Sequence, residues 1–89
     1  MALENEIIQF KSVEPYFTVE KLGYKPNTVR EVDLTDERFR KLAMMQQLGK
    51  FGKIKIYLPN WESDEFIRQI QHIAFWKNLA IISWVHTHN

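Results

Sequence analysis

The sequence predicts one small α+β domain, with two helices and a mostly antiparallel sheet. Three observations predict it. Short β-branched runs alternate with two stretches of helical spacing, and glycines stand where those stretches end. A chain of 89 residues, 45% hydrophobic and 26% charged, suits a single globular core. A chain this short buries only about 60–65% of its unfolded surface, so each large apolar residue matters. There is no cysteine, which excludes disulfides, thiolate catalysis and cysteine-held metals. Packing must hold the domain together, chiefly through three Trp, six Phe and three Tyr. The formal charge is +1, so attraction to nucleic acid or to an anionic membrane has to come from clustering. No run approaches the ~20 apolar residues of a membrane span. The opening residues 1–6 lack the basic and apolar regions of a signal peptide, and the expected location is the cytoplasm.

Taken in order, residues 6–11 (Glu6-Ile7-Ile8-Gln9-Phe10-Lys11) are a β-rich run and predict a strand. Over 13–22, Tyr16, Val19 and Leu22 fall at helical spacing with Phe17 alongside. Ser12 is the expected cap, Pro15 suits a first turn, and Gly23 suits the left-handed closing position. Thr28, Val29 and Val32 mark a second strand over 27–32. Thr35-Asp36-Glu37 supplies a capping hydroxyl and two acids for a helix. That helix carries Phe39, Leu42, Ala43 and Leu48 before Gly49 and Gly52. Residues 53–58 alternate strictly, with Ile54, Ile56 and Leu58 on one side and Lys53, Lys55 and Tyr57 on the other. Residues 59–64 read as a turn and 79–85 as a buried strand. Residues 65–76 read two ways. Phe66, Ile67, Ile70, Ile73 and Ala74 fit a helical face, yet the segment also suits a strand paired with 53–58.

The segment Gly23-Tyr24-Lys25-Pro26-Asn27-Thr28-Val29-Arg30 resembles the G-x-K-x-x-T-x-R segment of ASCH domains, a branch of the PUA-like β-barrels. Residues 8–17 are similar to that family's opening strand and helix, and 66–73 with 81–84 to its closing strands. The sequence also resembles small phage and prophage proteins of this type. The likeness spans most of the chain, and its distinctive part is the eight-residue segment. It implies that 65–73 is a strand, and that the sheet curls into a partial barrel packed by two helices. It also implies a cleft beside the first helix that takes RNA or a nucleotide. Some ASCH proteins are amidohydrolases on acylated cytidines and use a lysine, a threonine and a glutamate. Lys25 and Thr28 match the first two, and a lysine stripped of water can activate a threonine hydroxyl. The glutamate is expected on the penultimate strand, where Gln69 stands before Ile70. Glutamine hydrogen-bonds but cannot shuttle a proton at neutral pH, so binding without turnover fits these residues better.

Other residues carry weaker signals. Lys50, Lys53 and Lys55 with Tyr57 make a basic strand face bearing one aromatic, an arrangement that can track phosphates or simply guard an edge. Arg68 joins that face if 65–73 pairs with 53–58. Glu31 and Asp33 sit beside Arg30 in sequence and can neutralise it. His72, His86 and His88 lack an acidic second shell, so no metal and no other cofactor is expected. Trp84 reads as core, whereas Trp61 and Glu62 lie in a turn where an exposed indole can anchor a protein contact. The expected function is a phage-type RNA- or nucleotide-binding module, acting in the host cytoplasm if phage-encoded. Its site is Lys25, Thr28 and Arg30, flanked by Lys53, Lys55, Tyr57 and Arg68. The alternative is a viral effector that inhibits a host protein through Trp61 and Glu62. A third reading is a weak amidohydrolase on acylated nucleosides.

Overall fold

The structure, a computed structural model, describes residues 2–59 and 64–85. A 3-10 turn, Leu3–Asn5, leads into β1 (Ile7–Lys11), α1 (Tyr16–Lys21), β2 (Asn27–Glu31) and α2 (Glu37–Leu48). Then come β3 (Lys53–Tyr57), β4 (Glu65–Trp76) and β5 (Leu79–Trp84). The fold is α+β. One sheet has the order β1-β3-β4-β5-β2. β1 runs parallel to β3, and the other three pairings are antiparallel. β1 and β2 are the two edges, and among the described residues no strand pairing closes the sheet between them. Arg30 bridges the gap instead: from β2 its Nη1 donates to the Lys11 carbonyl at the end of β1, at 2.8 Å.

The alternating side chains of β3 put Ile54 and Ile56 in the core beside Ile8 and Phe10 of β1 and Phe66 of β4. Phe17 of α1 and Phe39, Leu42 and Met45 of α2 pack on the same cluster, and Trp84 joins it. Residues 65–76 are a strand. A register shift between Ile70 and His72 explains their helix-like spacing. Phe66 and Ile70 are buried in one alternation, the extra residue resets the phase, and Ile73 is buried next. The interval of four is plain alternation with Arg68 inward between Phe66 and Ile70, and the interval of three comes from the bulge, so neither needs a helix.

The helices depart from expectation in four places. Ser12 does not cap α1; the Glu14 carboxylate accepts from the backbone N–H of Thr18 at 2.9 Å. Asp36, not Thr35, caps α2 by accepting from Arg38 N–H, while the Thr35 hydroxyl donates to Asp33. The inward face of α1 is Phe17 and Glu20, with Tyr16 and Leu22 exposed, so the stripe sits one residue later than apolar spacing predicts. Leu48 is likewise exposed, and Met45 takes the core position. Gly49 closes α2 at φ 65°. Gly52 is needed for close approach, because a Cβ there would overlap the carbonyl oxygen of Glu6 and sit 2.7 Å from that of Leu3. Among the described residues no helix is long and apolar enough to cross a membrane.

Candidate functional site

Gly23, at φ 88°, ends α1 by turning the chain back on itself. Its N–H donates to the Glu20 carbonyl, and the Lys25 N–H reaches the Val19 carbonyl at 3.1 Å. This reversal brings Lys25 beside the last turn of α1, which carries Glu20. Two residues on, β2 begins. Thr28 and Arg30 share one face of it, opposite Ile82 and Ala80 of β5. The eight-residue segment therefore delivers Lys25, Thr28 and Arg30 to one place for local reasons: a glycine reversal and a strand period of two.

That place is a cleft of about 500 Å³ at the end of β1, lined by Ser12, Tyr16, Glu20, Lys25, Thr28 and Arg30 together with Lys11, Val13, Val29 and Pro59. The three buried polar side chains described in the structure, Ser12, Glu20 and Thr28, all line it. Glu20 is only 2% exposed. Its Oε2 faces Lys25 Nζ at 3.8 Å, and its Oε1 is buried without a hydrogen-bond partner. Burial pushes the Glu20 carboxyl above its ordinary range, while Lys25, Arg30 and the Thr28 hydroxyl pull it back down. Arg30 donates through Nε to Thr28 Oγ1 at 3.0 Å and stacks over the Phe10 ring at 4.9 Å. Its burial lowers its pKa, opposed by Glu20. Two cations, Lys25 and Arg30, thus act on one sunken carboxylate, and Lys11 lines the same cleft.

The other expected site residues fall elsewhere. Arg68 does not join the lysine face, because it pairs across from Ile54 and so points to the opposite side of the sheet. There its guanidinium stacks on Phe66 and donates to the Lys21 carbonyl at the end of α1. Lys53 and Lys55 share the outer face with Tyr57, but Lys55 Nζ is paired with Glu65 at 3.2 Å. Gln69 lines none of the cleft and donates its amide to the carbonyls of Phe51 and Gly52. Trp61, Glu62, His86 and His88 lie outside the described residues, and His72 is exposed. Among the described residues no three His, Cys, Asp or Glu side chains converge as metal ligands would.

Sequence reasoning did not place Lys11, Ser12, Tyr16 or Glu20 in the site, and the most consequential of these is Glu20. Its signal was present: it stands three residues after Phe17, on the stripe a short helix must bury, where an apolar residue is expected. For hydrolysis the geometry is poor. The Lys25 side chain is 39% exposed and paired with Glu20, so it is not stripped of water, and the Thr28 hydroxyl oxygen is engaged by Arg30. No protein-family model matches the chain, and no curated protein matches its sequence.

Proposed function

We propose that this chain is a non-catalytic nucleotide-binding module of the ASCH-like, PUA-like type, acting in the cytoplasm and holding its ligand in the cleft between α1 and β2. The observation that carries the reading is the coincidence of the eight-residue segment with the polar cleft. The residues that bear the resemblance, Lys25, Thr28 and Arg30, line it together with a buried carboxylate. A volume near 500 Å³ suits a nucleoside with part of its phosphate. Exposed Tyr16 offers a ring at the rim for stacking, and Lys11 offers a cation for the phosphate. A single bound nucleotide is favoured over a long tracked strand, because Lys55 and Arg68 are already engaged within the protein.

Amide chemical-shift mapping tests this with nucleoside monophosphates added to millimolar levels. The expected result is saturable shifts confined to residues 11–30 and Pro59's neighbours, with β3 unmoved. Shifts confined to β3, or none at all, would remove the reading. A host-protein inhibitor would give none with nucleotides and would lose its partner on Trp61→Ala. The absence of acylated-cytidine turnover under conditions where that nucleoside binds is a second expected outcome.

A further inference from the structure

We infer that the cleft selects guanine, with Glu20 reading the N1–H and 2-amino edge of the base. The inference rests on the nucleotide reading above and names which nucleotide. Glu20 is buried, its Oε1 has no hydrogen-bond partner, and the ammonium beside Oε2 stands 3.8 Å away, beyond hydrogen-bond length. An ionised carboxylate is acceptor-only, and leaving its oxygens unfilled out of water is costly. The group that fills both oxygens at once is a pair of parallel N–H donors.

Of the four common bases, guanine alone presents two such donors side by side, at N1 and the 2-amino group. Adenine and cytosine set one amino group beside a ring nitrogen whose lone pair opposes the carboxylate. Uracil sets one N–H between two carbonyl oxygens. Guanine's O6 lies next to N1–H, and an ammonium, Lys25, lies next to the carboxylate. Acceptor and donor in the protein therefore meet donor and acceptor on the base in the same order. Glu20 lines the cleft, and the last torsion of a glutamate is broad, so the carboxylate can turn to meet a base edge.

The test uses the full chain and calorimetric titration with GMP, AMP, CMP and UMP, then IMP, which lacks the 2-amino group, and 1-methyl-GMP, which lacks N1–H. GMP is expected to bind about tenfold more tightly than the other three, with a similar loss for IMP and 1-methyl-GMP. Glu20→Gln is expected to abolish the GMP preference, because an amide sets one donor beside its acceptor and no longer matches guanine's two N–H groups. Equal affinity for all four nucleotides, or a GMP preference that survives Glu20→Gln, overturns guanine selection and leaves nucleotide binding standing. Binding of none of them overturns both. The two altered ligands act on the unchanged protein, so the selection is tested even if the variant folds poorly.

Discussion

The two ends of the sheet are built on opposite principles. At the end where β3 begins, Gly52 lets backbone meet backbone, and Leu3, Met45, Ile54 and Ile70 are buried around it. At the other end, past Lys11, the chain buries Ser12, Glu20 and Thr28 beside an open cleft. The dry end gains stability from close packing. The cleft end gives some up by sinking a carboxylate whose Oε1 lacks a partner. A domain of 89 residues has little stability to spare, so that cost is large in proportion. The contrast is clearest in what each end tolerates.

The largest effect is expected at the dry end. In Gly52→Ala the new methyl group meets two backbone carbonyls, which cannot swing aside as a side chain can. The cost should be about 3 kcal/mol, a fall in Tm of about 12–24 °C for a domain of this size. Nucleotide affinity below the new Tm should stay within about twofold, since the cleft lies at the opposite end. A fall in Tm under about 4 °C in a thermal melt would show that the 3-10 turn yields.

Next comes Arg30, the one side chain that serves both roles. It bridges the sheet edges through the Lys11 carbonyl, fixes Thr28 and stacks on Phe10. Arg30→Ala should cost about 2 kcal/mol and also weaken nucleotide binding, because Thr28 loses the donor that orients it. Arg30→Lys should recover little of either, since an ammonium cannot reach both partners with a planar fork. Denaturant melts together with titrations separate the two losses.

Glu20 should behave in the reverse sense. Its carboxyl is raised above the ordinary value of 4.5, chiefly by burial, so the folded state favours the protonated form. The stabilising contribution is therefore full below that value and is lost as pH rises through the higher folded pKa. Glu20→Gln, neutral at every pH, should melt above the parent protein at pH 7, with the gap closing by about pH 4. A parent protein more stable than the variant at pH 7 would mean that Lys25 and Arg30 outweigh burial.

Much of this was legible in the sequence, and the failures have physical causes. The order of strands and helices followed from local punctuation, because Gly23 and Gly49 take up the left-handed turns that their helices need. Residues 65–76 were ambiguous, since Arg68 takes an inward position between Phe66 and Ile70 and one bulge then shortens the next interval to three. Lys25, Thr28 and Arg30 were legible as a group because they lie within six residues on one reversal and one strand. Glu20 was not. A six-residue helix with Tyr16, Val19 and Leu22 on one stripe and Phe17 and Glu20 on the next offers two candidate faces, and hydropathy picks the wrong one. Arg68 was assigned to the lysine face because strand pairing was foreseen but register was not, and a shift of one residue changes sides.

The smallest expected effect concerns the outer face of β3, and it separates a nucleotide cleft from a strand-tracking surface. Were Lys53, Lys55 and Arg68 to join Lys25 and Arg30 in holding three to five or more phosphates, affinity for short single-stranded RNA would fall with salt at a log–log slope of about −2 to −4. The register takes Arg68 away from that face, and Glu65 already compensates Lys55. Arg30 is committed to Thr28 and Lys11. Lys25 stands beside Glu20, so Lys11 at the cleft remains, and one phosphate contact gives a slope of about −0.7 on single strands. The double change Lys53→Ala, Lys55→Ala should therefore move the slope by less than about half a unit. It should also leave GMP affinity within about twofold, because neither lysine lines the cleft. Lys11→Ala should reduce the same slope by about 0.7, as expected for one lost contact. If the double change instead removed one to two units, phosphates would be running along β3, and the outer face rather than the cleft would be the principal binding surface.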